Sequence, residues 1–198
     1  LVLNVGGLVD LAPVKDHVPA ILLLSQLGSA TGEACADVLL GAANPSGHLA
    51  MTWAATEDYQ TSRNFGDPED NEYREGIFVG YRYYETAGVP VAYPFGYGLS
   101  YTSFEYSDLE ATEWDVTFTV KNVGTVAGTE ICEVYVAKPE HIVFRPAEEL
   151  KAFQRVTLEP GEEQRVTIPL GDKASRYFDV KTNSWEVESG IYELRVGS

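Results

Sequence analysis

Thirty of the 198 residues are acidic, so carboxylates are the first place to look for chemistry. Asp67, Glu69, Asp70 and Glu72 crowd one polar stretch. Clustered carboxylates can hold calcium, but an EF-hand loop needs a glycine at its sixth position and a glutamate at its twelfth. Neither is in place, and the run reads as a solvated acidic surface. Glu75 stands apart, directly after Tyr73 and Arg74 and just before an apolar run. Buried charges are paired, so Glu75 is expected to meet Arg82 or backbone donors.

Other reactive residue types lack their partners. Gly96-x-Gly98 has neither the third glycine nor the following helix of a dinucleotide-binding turn, and Gly28 to Gly32 leads to no Lys-Ser/Thr pair, which excludes a P-loop. Ser46 does not sit in a Gly-x-Ser-x-Gly elbow. His17, His48 and His141 are too dispersed to show metal-ligand spacing. No metal, no cofactor and no catalytic residue is therefore assigned. Cys35 and Cys132 lie among apolar residues and are expected to be buried small hydrophobes. Two cysteines do not make a disulfide framework, and their use leans towards a reducing, cytoplasmic setting.

The charge balance is 14 basic against 30 acidic residues, a formal −16. Nucleic acid, whose phosphates demand a positive patch, is disfavoured as a partner, and so is an anionic membrane surface. No stretch approaches the roughly 18 apolar residues of a membrane span. The chain begins Leu1-Val2-Leu3-Asn4-Val5 without a basic leader. That opening reads as the middle of a strand, so a piece of a longer protein is expected. With 44% hydrophobic residues over this length, one or two domains can bury a core.

The elements that would position these residues fall into two textures. Leu1 to Val5, ending at Gly6-Gly7, reads as a buried strand and a turn. Val18 to Leu24 is a continuous apolar run, as in a parallel strand covered on both faces. Thr31 is placed to cap a helix, with Ala34, Val38 and Leu39 on one face and Gly41 at its end. Asn44-Pro45-Ser46-Gly47 is a turn. Residues 56 to 75 read as a long polar loop, a length often tied to function, and Ile77 to Tyr84 as a strand. Tyr81, Tyr83 and Tyr84 are then divided between core and surface, since strand neighbours face opposite sides.

From about Tyr106 the pattern changes. Trp114, Val116, Phe118 and Val120 alternate with Asp115, Thr117, Thr119 and Lys121. A period of two buries one face and wets the other. Cys132, Val134 and Val136 repeat it, as do Val166 and Ile168, and then Tyr192, Leu194 and Val196. Turns at Asn122-Val123-Gly124, Glu159-Pro160-Gly161 and Ser189-Gly190 separate the runs. The expected fold class is an α/β fragment, residues 1–105, followed by an all-β, immunoglobulin-like antiparallel sandwich, residues 106–198. Trp114, Phe118, Val134, Val166 and Leu194 are its expected core.

Five ordered motifs carry a family resemblance. Gly32-Glu33-Ala34-Cys35-Ala36-Asp37-Val38-Leu39-Leu40-Gly41, Asn44-Pro45-Ser46-Gly47-His48-Leu49 and Tyr73-Arg74-Glu75-Gly76-Ile77-Phe78-Val79-Gly80-Tyr81-Arg82-Tyr83-Tyr84 come first. The run Pro94-Phe95-Gly96-Tyr97-Gly98-Leu99-Ser100-Tyr101-Thr102-Ser103-Phe104 follows, a glycine turn framed by aromatics. Glu149-Leu150-Lys151-Ala152-Phe153 with Leu158-Glu159-Pro160-Gly161-Glu162 closes the series. Together they resemble glycoside hydrolase family 3, β-glucosidase-like, over the end of its α/β sandwich domain and its fibronectin type III-like domain. His48 stands where that family usually carries Lys or Arg.

The resemblance implies a retaining glycosidase, in which one carboxylate is the nucleophile and a second acts as acid and then base. It puts the nucleophile on a (β/α)8 barrel domain and the acid/base upstream of the strand corresponding to Leu1–Val5. No residue of this sequence matches either motif, and the substrate-binding residues are unknown. The implied role is an accessory portion that hydrolyses nothing alone, partnered by a barrel domain lying before or after it and by an oligosaccharide or glycoside substrate. Glu75 and the nearby tyrosines would border the sugar site, and the loop over residues 56–75 would be mobile without the barrel. A non-catalytic carbohydrate-binding or scaffolding module is the alternative, and an adhesion-type fibronectin domain would not carry the α/β segment.

Overall fold

Leu1 to Val5 does pair as a strand, but over two residues. In the computed structural model, which describes residues 1–59, 69 and 73–197, β1 (Val2–Leu3) lies parallel to β2 (Leu22–Leu23). The expectation of two buried strands is corrected: Val2 is 44% exposed and both residues of β2 are half-buried. A parallel strand is sealed only when neighbours flank it and helices cover its faces, and this pair is short on both.

Helix α1 (Thr31–Leu39) follows a 3-10 turn at Gly28–Ala30. Ala30 occupies the cap position, not Thr31. The Thr31 hydroxyl instead donates to the Gly28 carbonyl at 2.6 Å, bracing the preceding turn. Ala34, Cys35 and Val38 form the half-buried face, and Leu39 points away, 57% exposed. Cys35 is thus only partly covered. Gly41 closes the helix at φ 76°, its N–H donating to the Val38 carbonyl, as a C-terminal glycine does.

The strand expected over Ile77–Tyr84 is also corrected. Tyr81–Ala87 is a helix, α2. Gly80 and Gly88, at φ 59° and 65°, bracket it, and the Gly88 N–H donates to the Tyr84 carbonyl. Aromatic residues favour strands only weakly and through context; two left-handed glycines seven residues of helix apart override that preference. Leu11, Leu24, Trp53, Ala54 and Tyr84 are the buried apolar residues here. Leu1–Asn44 and Leu49–Tyr97 make up this first unit; Pro45–His48 and Gly98–Ser198 make up a second.

The second unit is a sandwich of two antiparallel three-stranded sheets. β3 (Phe104–Ala111), β4 (Asp115–Asn122) and β7 (Glu163–Pro169) form one antiparallel sheet in the order β3-β4-β7. β5 (Gly128–Ala137), β6 (Glu149–Leu158) and β10 (Glu193–Gly197) form the other, in the order β10-β5-β6. β8 (Arg176–Asp179) and β9 (Ser184–Val187) make a separate hairpin. Phe118 pairs with Val166 and Val116 with Ile168 across β4 and β7. With Val120, Cys132, Val134, Val156 and Leu158 they close one core, against which Leu194 packs half-buried. Inner faces of two aligned sheets interdigitate in this way.

Trp114 is the exception, 60% exposed. The Thr112 hydroxyl oxygen accepts from the Trp114 and Asp115 N–H groups, each at 3.1 Å. That local turn competes with the ladder, so the pleat starts at Asp115 and the alternation stops before reaching the tryptophan. Asn122, fully buried, stitches the sandwich edge. Its amide donates to the Val126 and Leu158 carbonyls, and its oxygen accepts from the Thr102 hydroxyl at 2.6 Å and the Gly124 N–H at 3.0 Å.

Candidate functional site

The tyrosines around α2 pack on one another. Tyr81 stacks on Phe95 with ring centroids 4.9 Å apart. Tyr83 and Tyr59 both meet Tyr84 edge-on, at 5.3 and 6.2 Å. The Tyr59 hydroxyl accepts from the Ala54 N–H and donates to the Thr52 carbonyl. Burial raises the Tyr84 phenol to about 12, with the charges of Tyr59, Asp58 and Glu75 adding to the shift. Tyr84 is therefore a neutral core residue. Glu75 is half-buried and felt by Tyr84, while Tyr73 is almost fully exposed. Asp67, Asp70, Glu72 and most of the loop expected to be mobile lie outside the described residues.

Three carboxylates of the sandwich unit are drawn inward, each with a partner. Glu188 accepts from the Ile142 N–H at 2.6 Å and the Val143 N–H at 3.5 Å, and its second oxygen is 3.6 Å from Arg145 Nη2. The Ile142 N–H chiefly holds its carboxyl below the ordinary glutamate value. Arg145 also lies over the Tyr177 ring. Glu133 accepts from the Tyr135 hydroxyl at 2.5 Å. Glu130 accepts from the Tyr106 hydroxyl at 2.7 Å. Tyr106 is on β3 and Glu130 on β5, so this bond joins the two sheets. Burial pushes the Tyr106 phenol far up and the Cys132 thiol to about 11, leaving both neutral.

Glu130 was missed from sequence, although a signal existed. It shares the inward face of β5 with Cys132 and Val134, and a charge at a core-facing position breaks the pattern. It lines a cavity of about 250 Å³ with Pro45, Ser46, His48, Leu99, Ser103 and Phe104. His48 forms part of this wall, and its Nδ1 is enclosed without a hydrogen-bond partner. Gly98 is glycine for space rather than dihedral freedom: a Cβ there would lie 2.5 Å from His48 Cδ2 and 2.7 Å from the Gly47 carbonyl oxygen. Gly96, at φ 79°, is the residue of the pair that needs the left-handed region. The first unit has a smaller cavity of about 180 Å³ lined mainly by apolar groups, with Trp53 in its wall.

The other histidines lie elsewhere. His17 ends a 3-10 turn and His141 Nδ1 contacts the Lys138 carbonyl at 3.0 Å. Among the described residues, no group of three or more His, Cys, Asp or Glu is placed to hold a metal ion, and no helix is long and apolar enough to cross a membrane.

Comparison with known proteins places both halves of the chain. Residues 1–101 match the glycosyl hydrolase family 3 C-terminal domain, and residues 130–198 match a fibronectin type III-like domain. Thermostable beta-glucosidase B of Acetivibrio thermocellus is 45% identical over 93% of this chain, which spans 26% of that enzyme. An exo-alpha-(1->6)-L-arabinopyranosidase of Bifidobacterium breve is 40% identical over 100% of the chain, again only 27% of its own length. In structure, beta-glucosidase 3B of Thermotoga neapolitana superposes with a TM-score of 0.90 at 42% identity, covering 99% of this chain and 29% of that one. A Bifidobacterium adolescentis beta-glucosidase gives 0.92 at 40% identity, covering 99% and 30%. This chain spans about a quarter of the length of the curated relatives it matches, and it belongs to glycosyl hydrolase family 3.

Proposed function

We propose that these residues are an accessory portion of a retaining, β-glucosidase-like enzyme that hydrolyses O-glycosyl bonds, with both catalytic carboxylates on other parts of the protein. The observation that carries the reading is the coverage: a match over 93% of this chain accounts for only 26% of a beta-glucosidase. The bonding of Glu130, Glu133 and Glu188 supports it, because each is held by a partner within the sandwich. A missing (β/α)8 barrel domain is the proposed partner, with a glycoside or oligosaccharide as substrate and neither nucleic acid nor membrane. The division at 105/106 into an α/β portion and a fibronectin-like domain is part of the same proposal.

The sugar is not set by these residues in this reading. A glucosidase and an arabinopyranosidase share the segment at 45% and 40% identity, so specificity is assigned to the barrel and its loops. The test is an assay of the 198-residue chain against a panel of nitrophenyl glycosides. No turnover above a heat-killed control is expected. Hydrolysis of any member would overturn the assignment and send the search back to the 30 acidic residues.

A further inference from the structure

We infer that the cavity between β3 and β5 of the sandwich unit binds a small neutral polyhydroxy molecule, of glycerol to monosaccharide size. The inference does not depend on the hydrolase reading. It starts from a charge in an unusual place. Glu130 is 6% exposed, on the inward face of a strand. The Tyr106 hydroxyl satisfies one site on Oε1, whereas an ionised carboxylate offers about four acceptor positions. His48 lines the same cavity. Buried polar atoms are normally bonded to protein or ordered solvent, so the remaining acceptor positions of Glu130 present unmet demand for hydrogen bonds.

The wall is rigid enough to select what meets that demand. Thr129 shares a hydrogen bond with Thr157 at 2.8 Å and Thr102 donates to Asn122 at 2.6 Å, so both hydroxyls are engaged and hold their strands. Gly98 lets the His48 ring approach the backbone. Ser46 and Ser103 add hydroxyls, and Phe104 and Leu99 add apolar surface. Adjacent hydroxyls of a polyol donate to the carboxylate, and the molecule presents a C–H face to Phe104. An anion is repelled by Glu130 and by the net charge of −16. At about 250 Å³ the space far exceeds the ~30 Å³ share of one water and falls just short of drug-sized pockets, which start at about 300 Å³.

Titration of the isotopically labelled 198-residue chain, followed by NMR, tests this. Glycerol and D-glucose are the probes, with tetramethylammonium as a cationic control. We expect saturable shifts confined to His48, Gly98, Ser103 and Glu130, with a dissociation constant on the order of millimolar for so small a ligand. Glu130→Gln keeps the shape and removes the charge, and should weaken binding about tenfold, as loss of a charge-assisted bond does. Ser103→Trp, at an exposed position on the rim, should block binding while leaving shifts elsewhere unchanged; it serves alone if Glu130→Gln does not fold. Shifts that stay linear in concentration, saturation by tetramethylammonium only, or binding undiminished by a folded rim or charge variant would each overturn the site.

Discussion

In the sandwich unit, ten apolar side chains from β4 to β7 and the residue after β7 are sealed into one cluster. In the other unit the buried apolar residues among those described, Leu11, Leu24, Trp53, Ala54 and Tyr84, come from four separate stretches of chain. The treatment of polar atoms does not follow the same divide. Asn122, fully buried in the sandwich, has both ends of its amide bonded. Enclosed polar atoms without a partner occur in both units, the Thr52 hydroxyl and the Trp53 indole nitrogen in the first and His48 Nδ1 and Arg145 Nε in the sandwich. Two antiparallel sheets seal their inner faces against each other, whereas a parallel pair such as β1 and β2 depends on crossovers and on cover from both faces. The contrast is between one contiguous core and a few buried residues scattered along the chain.

The largest effect should come from the centre of the closed core. Phe118 is 1% exposed, and Phe118→Ala should cost roughly 3–5 kcal/mol. Leu22→Ala, in half-buried β2, should leave the sandwich transition where it was. Chemical denaturation followed by sandwich-specific NMR signals measures both. A loss below ~1 kcal/mol at Phe118 would mean the core is not the well-packed one described, and a shift of the sandwich midpoint by the β2 change would break the distinction between the units.

Next is the polar edge. Asn122→Ala removes four hydrogen bonds and strands the Val126 and Leu158 carbonyls. An unmade buried bond costs about 1–3 kcal/mol, so a loss of about 3 kcal/mol is expected once partial rescue by water is allowed for. Trp114→Ala provides the control, since a 60% exposed side chain outside the pleat should change stability by less than ~0.5 kcal/mol. Equal losses at the two sites would show that the alternation does reach Trp114.

How much of this was legible in the sequence follows the same divide. The β4 core face could be read because a period of two is a long, unambiguous signal. Its end could not, because the Thr112 side chain diverts the chain one residue before the strand. Helix α2 was hidden by aromatic residues that suggest strand, though Gly80 and Gly88 marked its limits. The strands of the first unit were recognised as apolar runs, but sequence does not say whether a run has anything to cover it. Glu130 is readable as a charge on an inward face, but a lone carboxylate with no motif around it does not announce a role. A glycine turn implies positive φ, which holds at Gly96, whereas Gly98 makes room for His48, a reason that only three-dimensional structure supplies.

The smallest expected effect tests whether loop anchoring also belongs to the closed unit. Residues 138–148 join β5 to β6, and Glu188 ties this loop down through the Ile142 and Val143 N–H groups and Arg145. The carboxyl is held below its ordinary value of 4.5, first by the Ile142 hydrogen bond. For a depressed acid the sign is fixed: the unfolded chain binds the proton more readily, so the stabilisation is full above the unfolded value and fades as pH falls through the folded one. Glu188→Gln should therefore lower the melting temperature slightly at pH 7, and the difference from the parent should shrink steadily once pH drops below about 4.5. Phe118→Ala, whose cost involves no proton, should keep a nearly constant penalty over the same range. Thermal melts of the three chains between pH 7 and pH 3 make the comparison. A Glu188→Gln deficit that is unchanged at pH 3 would show that the side chain contributes by packing alone, and that the loop is held by something other than its charge.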